Sequence, residues 1–398
     1  MPRITGLPVL DLAGEPYAIG YGHGQGAKSL IERNLALYFR RYRDEAGLAR
    51  DEVLHRAGVW LDRVKDLDPP YVAMVEGLAD GSGFPVRDVA ALSARYELFY
   101  GEFASTGLAT ACTAFALLPE RTEDGHLLLG ENWDWFPEVA GLWLRVEWGD
   151  LTVLAFTEAG IAGGKIGFNS AGIGLAVNGL LSHLDRWDGD GVPFHVRTWR
   201  VLCSPHLQAA IAAVESGPAP CSANFLIADA GTGKAVSLER APSGTTRVAP
   251  SQGVLVHANH FLSPERLGVR EPLAEERRST YIRQDRLTEV LTRAAGRGPL
   301  TGANVQDALR DHVGHPGSVC RHESPLFPPD LNYRTSLSVV MDLCARRLAY
   351  TPGPPCWRAY VPRALDETPR GRGQPGPARS VADLAARGQP PRTAHQRE

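Results

Sequence analysis

The spacing of hydrophobic positions changes once along this chain. Before residue 112, apolar residues recur about every three to four positions, most clearly over 28–42, 51–67 and 71–79, which is helical spacing. After residue 112, apolar residues fall in short runs bounded by Gly, Asp or Pro, which is typical of strands. The sequence therefore predicts a helical segment, 1–111, followed by a sheet that begins at Cys112.

Several more elements follow the first strand. Strands are predicted at 114–118, 127–129, 142–148, 152–157, 174–178, 224–228, 235–239, 253–257, 336–342 and 347–350, and helices at 194–202, 207–215, 280–295 and 304–311. These helices lie between blocks of strands instead of following each strand, so a doubly wound parallel sheet is disfavoured and the predicted class is α+β. Residues 366–398 are rich in Pro, Gly, Arg and Gln, and we expect them to form a disordered tail.

Composition narrows the function classes. Apolar residues make up 43% and charged residues 22% of the chain, as in an ordinary globular protein. Lys and Arg number 42 against 45 Asp and Glu, and this balance excludes a general attraction to nucleic acid. No apolar run approaches the roughly 18 residues of a membrane span, and no signal-like stretch begins the chain. We therefore expect no membrane partner and a cytoplasmic location.

The six cysteines are widely spaced, without a Cys-x-x-Cys pair or a dense disulfide framework, so reduced thiols are expected. A zinc site needs clustered Cys and His ligands. In the sequence the nearest candidate is His257 with His260, which supplies two imidazoles and no obvious third ligand. We therefore expect no metal and no cofactor.

Cys112 stands where helices give way to strands, with small residues before it and an apolar strand after it. A cysteine in such a run is more often a small buried hydrophobe than a nucleophile, so its context must decide. Downstream, at the end of the next predicted strand, lies a polar and aromatic segment that contains Asn132 and Asp134. A hairpin would bring Asp134 beside Cys112. Alternatively, Asn132 and Asp134 cap a turn while the aromatic residues fill the core.

Cys112-Thr113 followed by Asn132-Trp133-Asp134 forms a recognisable combination, and further segments accompany it in a specific order. These are 16–25, 76–83, 169–172, 177–179, 257–261, 318–322, 341–343 and 352–355. Together they resemble the acyl-coenzyme A:6-aminopenicillanic acid acyltransferases, also called isopenicillin N acyltransferase-like cysteine peptidases, of the N-terminal-nucleophile hydrolase superfamily.

The resemblance implies a four-layer αββα sandwich of the N-terminal-nucleophile hydrolase type. It also implies a precursor that cleaves itself before the cysteine, here between Ala111 and Cys112. Residues 1–111 would be a small helical chain that is retained, and 112–365 the catalytic sandwich. Alanine replaces the glycine that is commoner before the cysteine, and its Cβ makes strained dihedral angles less accessible.

Cleavage would supply the chemistry, because a free α-amine has a pKa near 8 and can accept the thiol proton. Cys112 would then be both nucleophile and base and would form an acyl-enzyme. The resemblance further implies that Asp134 holds the ammonium or the thiol and that Asn259 donates to the oxyanion. Asn178 is a second candidate donor, or satisfies a turn at a strand end.

Arg321 and Arg283 are candidates for binding a substrate carboxylate through a bidentate fork. The implied reaction is hydrolysis or transfer of an acyl group from a small-molecule amide or thioester, with acyl-coenzyme A as a possible donor. The alternative is a non-catalytic binding protein of the same fold, since fold alone does not establish activity.

Overall fold

The computed structural model describes residues 6–106, 111–272, 278–326 and 332–367. The predicted tail, 366–398, therefore lies almost wholly outside the described residues. Within those residues, no helix has both the length and the apolar character that a membrane span requires.

Five helices occupy most of the segment before Cys112, as the hydrophobic spacing predicts. One short strand, β1, precedes them. The elements are β1 (Val9–Leu12), α1 (Pro16–Glu45), α2 (Arg50–Leu67), α3 (Pro69–Ser82), α4 (Val86–Ser93) and α5 (Arg95–Thr106). The first strand of the second part, β2, starts at Ala111. The predicted change from helix to sheet is thus confirmed.

Helices α1 and α3 approach each other through glycines. A Cβ on Gly77 of α3 would lie 2.0 Å from the backbone oxygen of Tyr17, and a Cβ on Gly20 of α1 would lie 2.0 Å from that of Met74. Neither position has room for a side chain, so the close packing of this helix pair depends on glycine.

Two sheets follow. The first has eight strands in the order β1-β4-β5-β6-β7-β8-β9-β10, with β1 parallel to β4 and the other pairs antiparallel. Its later strands are β4 (Gly141–Trp148), β5 (Leu151–Glu158), β6 (Ile166–Asn169), β7 (Ile173–Gly179), β8 (Ala223–Asp229), β9 (Lys234–Ala241) and β10 (Gly244–Val248).

The second sheet has six antiparallel strands in the order β11-β2-β3-β12-β13-β14. They are β2 (Ala111–Leu117), β3 (Leu128–Trp135), β11 (Val254–His257), β12 (Arg334–Asp342), β13 (Arg347–Pro352) and β14 (Val361–Ala364). Strand β2, which carries Cys112, lies between β11 and β3 and is therefore an interior strand.

Helices cover both sheets. On the first sheet, α6 (Phe194–Leu202) and α7 (Leu207–Glu215) pack against β6 to β9, while β2 and β3 of the second sheet contact β7. On the far side, α9 (Arg278–Ala295) and α10 (Gly302–Leu309) pack against the second sheet, and the short α8 (Pro264–Leu267) contacts β10. The layers run helix, sheet, sheet, helix, which confirms the predicted αββα sandwich.

Candidate active site

Cys112 is held from both sides of its backbone. Its N–H donates to Oδ1 of Asn259 at 2.6 Å, and its carbonyl oxygen accepts a hydrogen bond from Nη1 of Arg283. Arg283 also donates to Oγ1 of Thr113 at 2.8 Å and to Oδ1 of Asn259 at 3.0 Å. Asn259 therefore holds the peptide that Cys112 shares with Ala111, and Arg283 holds the peptide that Cys112 shares with Thr113.

Arg283 is fully buried in this arrangement. Its guanidinium faces the backbone of Cys112, the residue that the sequence analysis predicts as nucleophile. The observed contacts position Cys112 and differ from the predicted contact with a substrate carboxylate.

Asn259 follows β11 and bridges the two sheets. Besides accepting from Cys112 and Arg283, it donates from Nδ2 to the carbonyl oxygen of Gly179 at 2.9 Å. The predicted oxyanion donor thus lies next to the predicted nucleophile, and in this state its side-chain amide N–H is bonded to the first sheet.

Asp134 pairs with Ala111 across the β2–β3 ladder, while Cys112 pairs with Trp133. Because adjacent residues of a strand point to opposite faces, the carboxylate of Asp134 and the thiol of Cys112 lie on opposite faces at the same end of the sheet. Oδ1 of Asp134 accepts from Oγ1 of Thr335 at 2.7 Å. Burial raises the pKa of this carboxyl to about 6, against the opposing effect of two nearby arginines. Asp134 therefore flanks the peptide bond before Cys112.

Residues 130–135 belong to β3, although the sequence analysis placed them beyond a strand ending at 129. Asn132 pairs with Thr113, and its Nδ2 donates to the carbonyl oxygens of Leu309 and Val319, both at 2.9 Å. Asn132 and Asp134 therefore do not cap a turn. Their polarity hid the strand, because both side chains are buried and bonded to groups that are distant in sequence.

Cys112 is only 3% exposed, yet it borders a small cavity with a volume of about 20 Å³, which is room for about one water molecule. The cavity is lined from both sides of the predicted cleavage point. Helix α5 contributes Arg95, Tyr96 and Tyr100, and the later elements contribute Trp133, Lys165 and Phe194. The space next to the sulfur is therefore aromatic and cationic.

A buried ionic group forms one wall of this cavity. Glu158 accepts from Lys165, from Arg95 and from the hydroxyl of Tyr38. Burial works against ionisation of Glu158, but the charges of Arg95 and Lys165 hold its pKa at about 2. Burial lowers the pKa of Lys165 to about 8, and its Nζ lies 3.6 Å from the ring centroid of Trp133. The sequence analysis did not identify this group, because its members come from separate elements.

Glu131 is a second residue that the sequence analysis missed. It pairs with Ala114 and shares the face of the sheet on which the Cys112 thiol lies. Its Oε2 accepts from the N–H of Val177 at 2.9 Å, and among the described residues its buried Oε1 has no hydrogen-bond partner. Burial raises the pKa of Glu131 to about 8. The available signal was a carboxyl directly after the apolar run 127–130.

The thiol itself is protonated near neutral pH. Burial raises the pKa of Cys112 well above its usual value, and the negative charges of Glu131 and Asp134 raise it further. Nucleophilic attack by this sulfur therefore requires a neighbouring group to take its proton.

The remaining predicted residues also lie inside the molecule. Oδ1 of Asn178 accepts from Nδ2 of Asn224 at 2.9 Å, while its own buried Nδ2 has no partner within the described ranges. Arg321 is buried, and its backbone N–H donates to Oγ1 of Thr335 at 3.0 Å. Since the same hydroxyl donates to Asp134, Arg321 belongs to the group around that carboxylate.

The sequence is similar to one known family of acyltransferases. The sequence model of the acyl-coenzyme A:6-aminopenicillanic acid acyl-transferase family matches residues 121–324, slightly more than half of the chain. The acyl-coenzyme A:6-aminopenicillanic-acid-acyltransferase 40 kDa form of Emericella nidulans is 28% identical over 315 residues, which cover 77% of this chain and 83% of that protein.

Two solved structures are similar to this chain at lower sequence identity. A mutant of conjugated bile acid hydrolase from Clostridium perfringens is 13% identical with a TM-score of 0.45, covering 61% of this chain and 89% of its own. The N-acylethanolamine-hydrolyzing acid amidase ortholog of Caenorhabditis elegans is 12% identical with a TM-score of 0.39, covering 58% of this chain and 93% of its own.

Proposed function

Because the chain belongs to the acyl-coenzyme A:6-aminopenicillanic acid acyl-transferase family, we propose that it is an amide-bond acyl hydrolase or acyltransferase activated by self-cleavage before Cys112. The observation that carries the proposal is the setting of Cys112. Its N–H and carbonyl are both held by buried side chains, and its thiol borders a cavity. A cysteine that only filled the core would need neither feature.

Self-cleavage begins with the thiol of Cys112 attacking the carbonyl carbon of Ala111. The sulfur–carbon bond forms as the carbon–nitrogen bond breaks, and the thiol proton ends on the new amine. Water then hydrolyses the thioester, which leaves a carboxylate on Ala111 and a free α-amine on Cys112. Glu131, whose Oε1 is unbonded among the described residues, is positioned on the thiol face to relay the proton.

Substrate turnover repeats this chemistry with the α-amine as base. The amine accepts the thiol proton while the sulfur attacks an amide or thioester carbonyl. The leaving group departs with that proton, and water or an acceptor amine then resolves the acyl-enzyme. Asp134 would stabilise the ammonium, because it pairs with Ala111 at the nitrogen side of Cys112.

Oxyanion stabilisation falls to Asn259 and Asn178. Asn259 already contacts Cys112, and removal of Ala111 from the peptide would leave its amide free to reorganise. Asn178 has the buried Nδ2 without a partner in the described part of the chain. Loss of one such donor costs about 3 kcal/mol of transition-state stabilisation. Arg321 remains the candidate for binding a substrate carboxylate. Arg283 is the candidate for positioning Cys112.

The chemistry of the cavity lining, rather than its present volume, supports a substrate class. Its aromatic and cationic lining suits a small N-acyl or aminoacyl amide with an apolar acyl group and an anionic end. An acyl-coenzyme A thioester is a second possible donor, which the name of the Emericella nidulans relative suggests.

Intact-mass spectrometry of purified wild-type protein and of Cys112→Ala tests the proposal. We expect two fragments that divide between Ala111 and Cys112 in the wild type and only full-length chain in the variant. Cys344→Ser is a matched control, because that thiol lies elsewhere and should leave cleavage unchanged.

Activity is then measured with N-acyl amino acids, aminoacyl amides, penicillins and acyl-coenzyme A, each with and without an acceptor amine. An uncleaved wild type without activity would favour the binding-protein alternative. Turnover that survives Cys112→Ala would refute the mechanism.

A further inference from the structure

Two cysteines and two histidines from two distant segments meet at one point of the surface. His312, Cys320, His322 and Cys356 each offer one ligand atom, and these four atoms all lie within 4.8 Å of one another. We call them the His312–Cys356 cluster. None of them takes part in the chemistry described above.

The distances within the cluster match those around one tetrahedral ion. At Zn–S of about 2.3 Å and Zn–N of about 2.05 Å, tetrahedral angles separate two sulfurs by about 3.8 Å, two nitrogens by about 3.3 Å and a sulfur from a nitrogen by about 3.5 Å. Here the Sγ atoms of Cys320 and Cys356 are 3.6 Å apart, and Nε2 of His312 is 3.1 Å from Nε2 of His322. That Nε2 of His322 lies 3.5 Å from Sγ of Cys320 and 3.2 Å from Sγ of Cys356.

A disulfide explains the cluster less well. Bonded sulfurs are about 2.05 Å apart, and such a bond would use only the two cysteines. It would leave unexplained why two imidazole nitrogens converge on the same point. Two thiolates and two imidazoles are the donor set of structural zinc sites.

We propose that the His312–Cys356 cluster is a structural zinc site. Four protein ligands complete the tetrahedron and leave no open position, so the ion has no catalytic role. This inference does not depend on the proposed function.

The site joins the segment after α10 to the segment after β13. His312 follows α10, Cys320 and His322 lie in the segment after it, and Cys356 follows β13. The backbone N–H of Cys320 also donates to the carbonyl oxygen of Asp311 at 2.9 Å, which brings the first two ligands together without the ion. A preformed arrangement of this kind favours binding.

The zinc site also borders the candidate active site. Arg321 lies between two of the ligands, and its N–H donates to the Thr335 hydroxyl that donates in turn to Asp134. Zinc would therefore fix the segment that carries Arg321 relative to Asp134.

The sequence analysis expected no metal because these cysteines are far apart along the chain. The spacing from His312 to Cys356 lacks a Cys-x-x-Cys pair, and only the fold brings the four residues together.

The test is the metal content of untagged, reduced protein by plasma mass spectrometry. We expect about one zinc ion per chain, and at least a tenfold lower content in Cys356→Ser and in His312→Ala. Cys344→Ser and His55→Ala change the same residue types outside the cluster and should retain zinc.

A second measurement covers variants that fold poorly. Zinc is removed from the wild type with a chelator and Co²⁺ is added, for which we expect the thiolate-to-cobalt and d–d absorption bands of a tetrahedral site. Negligible zinc together with no cobalt bands would overturn the proposal. So would zinc retained in both ligand variants, or a Cys320–Cys356 disulfide in protein alkylated before digestion.

Discussion

At the scale of single residues, the proton of Cys112 is the central problem, because burial keeps the thiol protonated. In the uncleaved chain the nitrogen of Cys112 is a peptide N–H and cannot accept it. Glu131 lies on the same face of the sheet and has a raised pKa of about 8. Glu131 can accept a proton only as a carboxylate. The carboxylate fraction increases as the pH rises through that pKa.

We therefore expect Glu131→Gln to slow self-cleavage about a hundredfold, since general-base assistance is typically of this size. In the wild type, cleavage should accelerate as the pH rises towards about 8, the pKa of Glu131, and this dependence should vanish in the variant. Glutamine keeps the acceptor for the N–H of Val177, so the fold should survive. The rate is measured by intact mass after cell-free synthesis, with Glu147→Gln on the surface as control. Equal rates in variant and wild type would exclude this role.

Some candidate residues could be selected from the sequence, while others became candidates only through the fold. Cys112, Asp134 and Asn259 lie near one another at the end of β2, with the thiol and the carboxylate on opposite faces of the sheet. In the sequence, nothing marked Glu131 and Lys165 as candidate site residues except that each is charged and has apolar neighbours. Their proximity to the sulfur depends on the pairing register and on the packing of two sheets, which no single segment specifies.

At the scale of elements, the α1–α3 pair rests on backbone contact. We expect Gly77→Ala to destabilise the protein by about 3 kcal/mol or more, because its Cβ would overlap the backbone oxygen of Tyr17. In Gly58→Ala the new Cβ would meet only the side chain of Arg87 at 3.4 Å, so this helical control should be neutral or stabilising by up to about 1 kcal/mol. Denaturant unfolding measures both. If Gly77→Ala were as stable as the wild type, the two helices could move apart without a loss of stability.

Strong periodicity made some elements predictable, and weak periodicity hid others. Helices α6 and α7 have the predicted bounds, because each has an uninterrupted apolar face. Strands β1, β6, β10 and β14 were missed, because β10 has a single large apolar residue and the other three are only four residues long. Strand β3 extends beyond its predicted end, because buried amide and carboxylate groups occupy positions that are usually apolar.

At the scale of the whole molecule, many hydrogen bonds join the residues before the predicted cleavage point to the residues after it. Strand β1 pairs with β4, and Nδ2 of Asn34 donates to the carbonyl oxygens of Ala140 and Ala159. The ion pair of Arg95 with Glu158 adds a buried charge contact between the two parts. None of these bonds involves the Ala111–Cys112 peptide.

We therefore expect the two fragments to remain associated after cleavage. Cleaved protein should elute from a sizing column as one peak that contains both fragments, and they should separate only in denaturant. Uncleaved Cys112→Ala gives the reference elution volume. A peak that contains the larger fragment alone would contradict this expectation.

The cavity beside Cys112 has one wall from α5 and another from the strands that follow. If the fragments stay together, the segment ahead of Cys112 remains in the molecule and keeps its part of the cavity lining. Under the proposed function, substitutions of Tyr96 and Tyr100 would then change which acyl group is accepted. Every residue that forms or breaks a bond would stay the same.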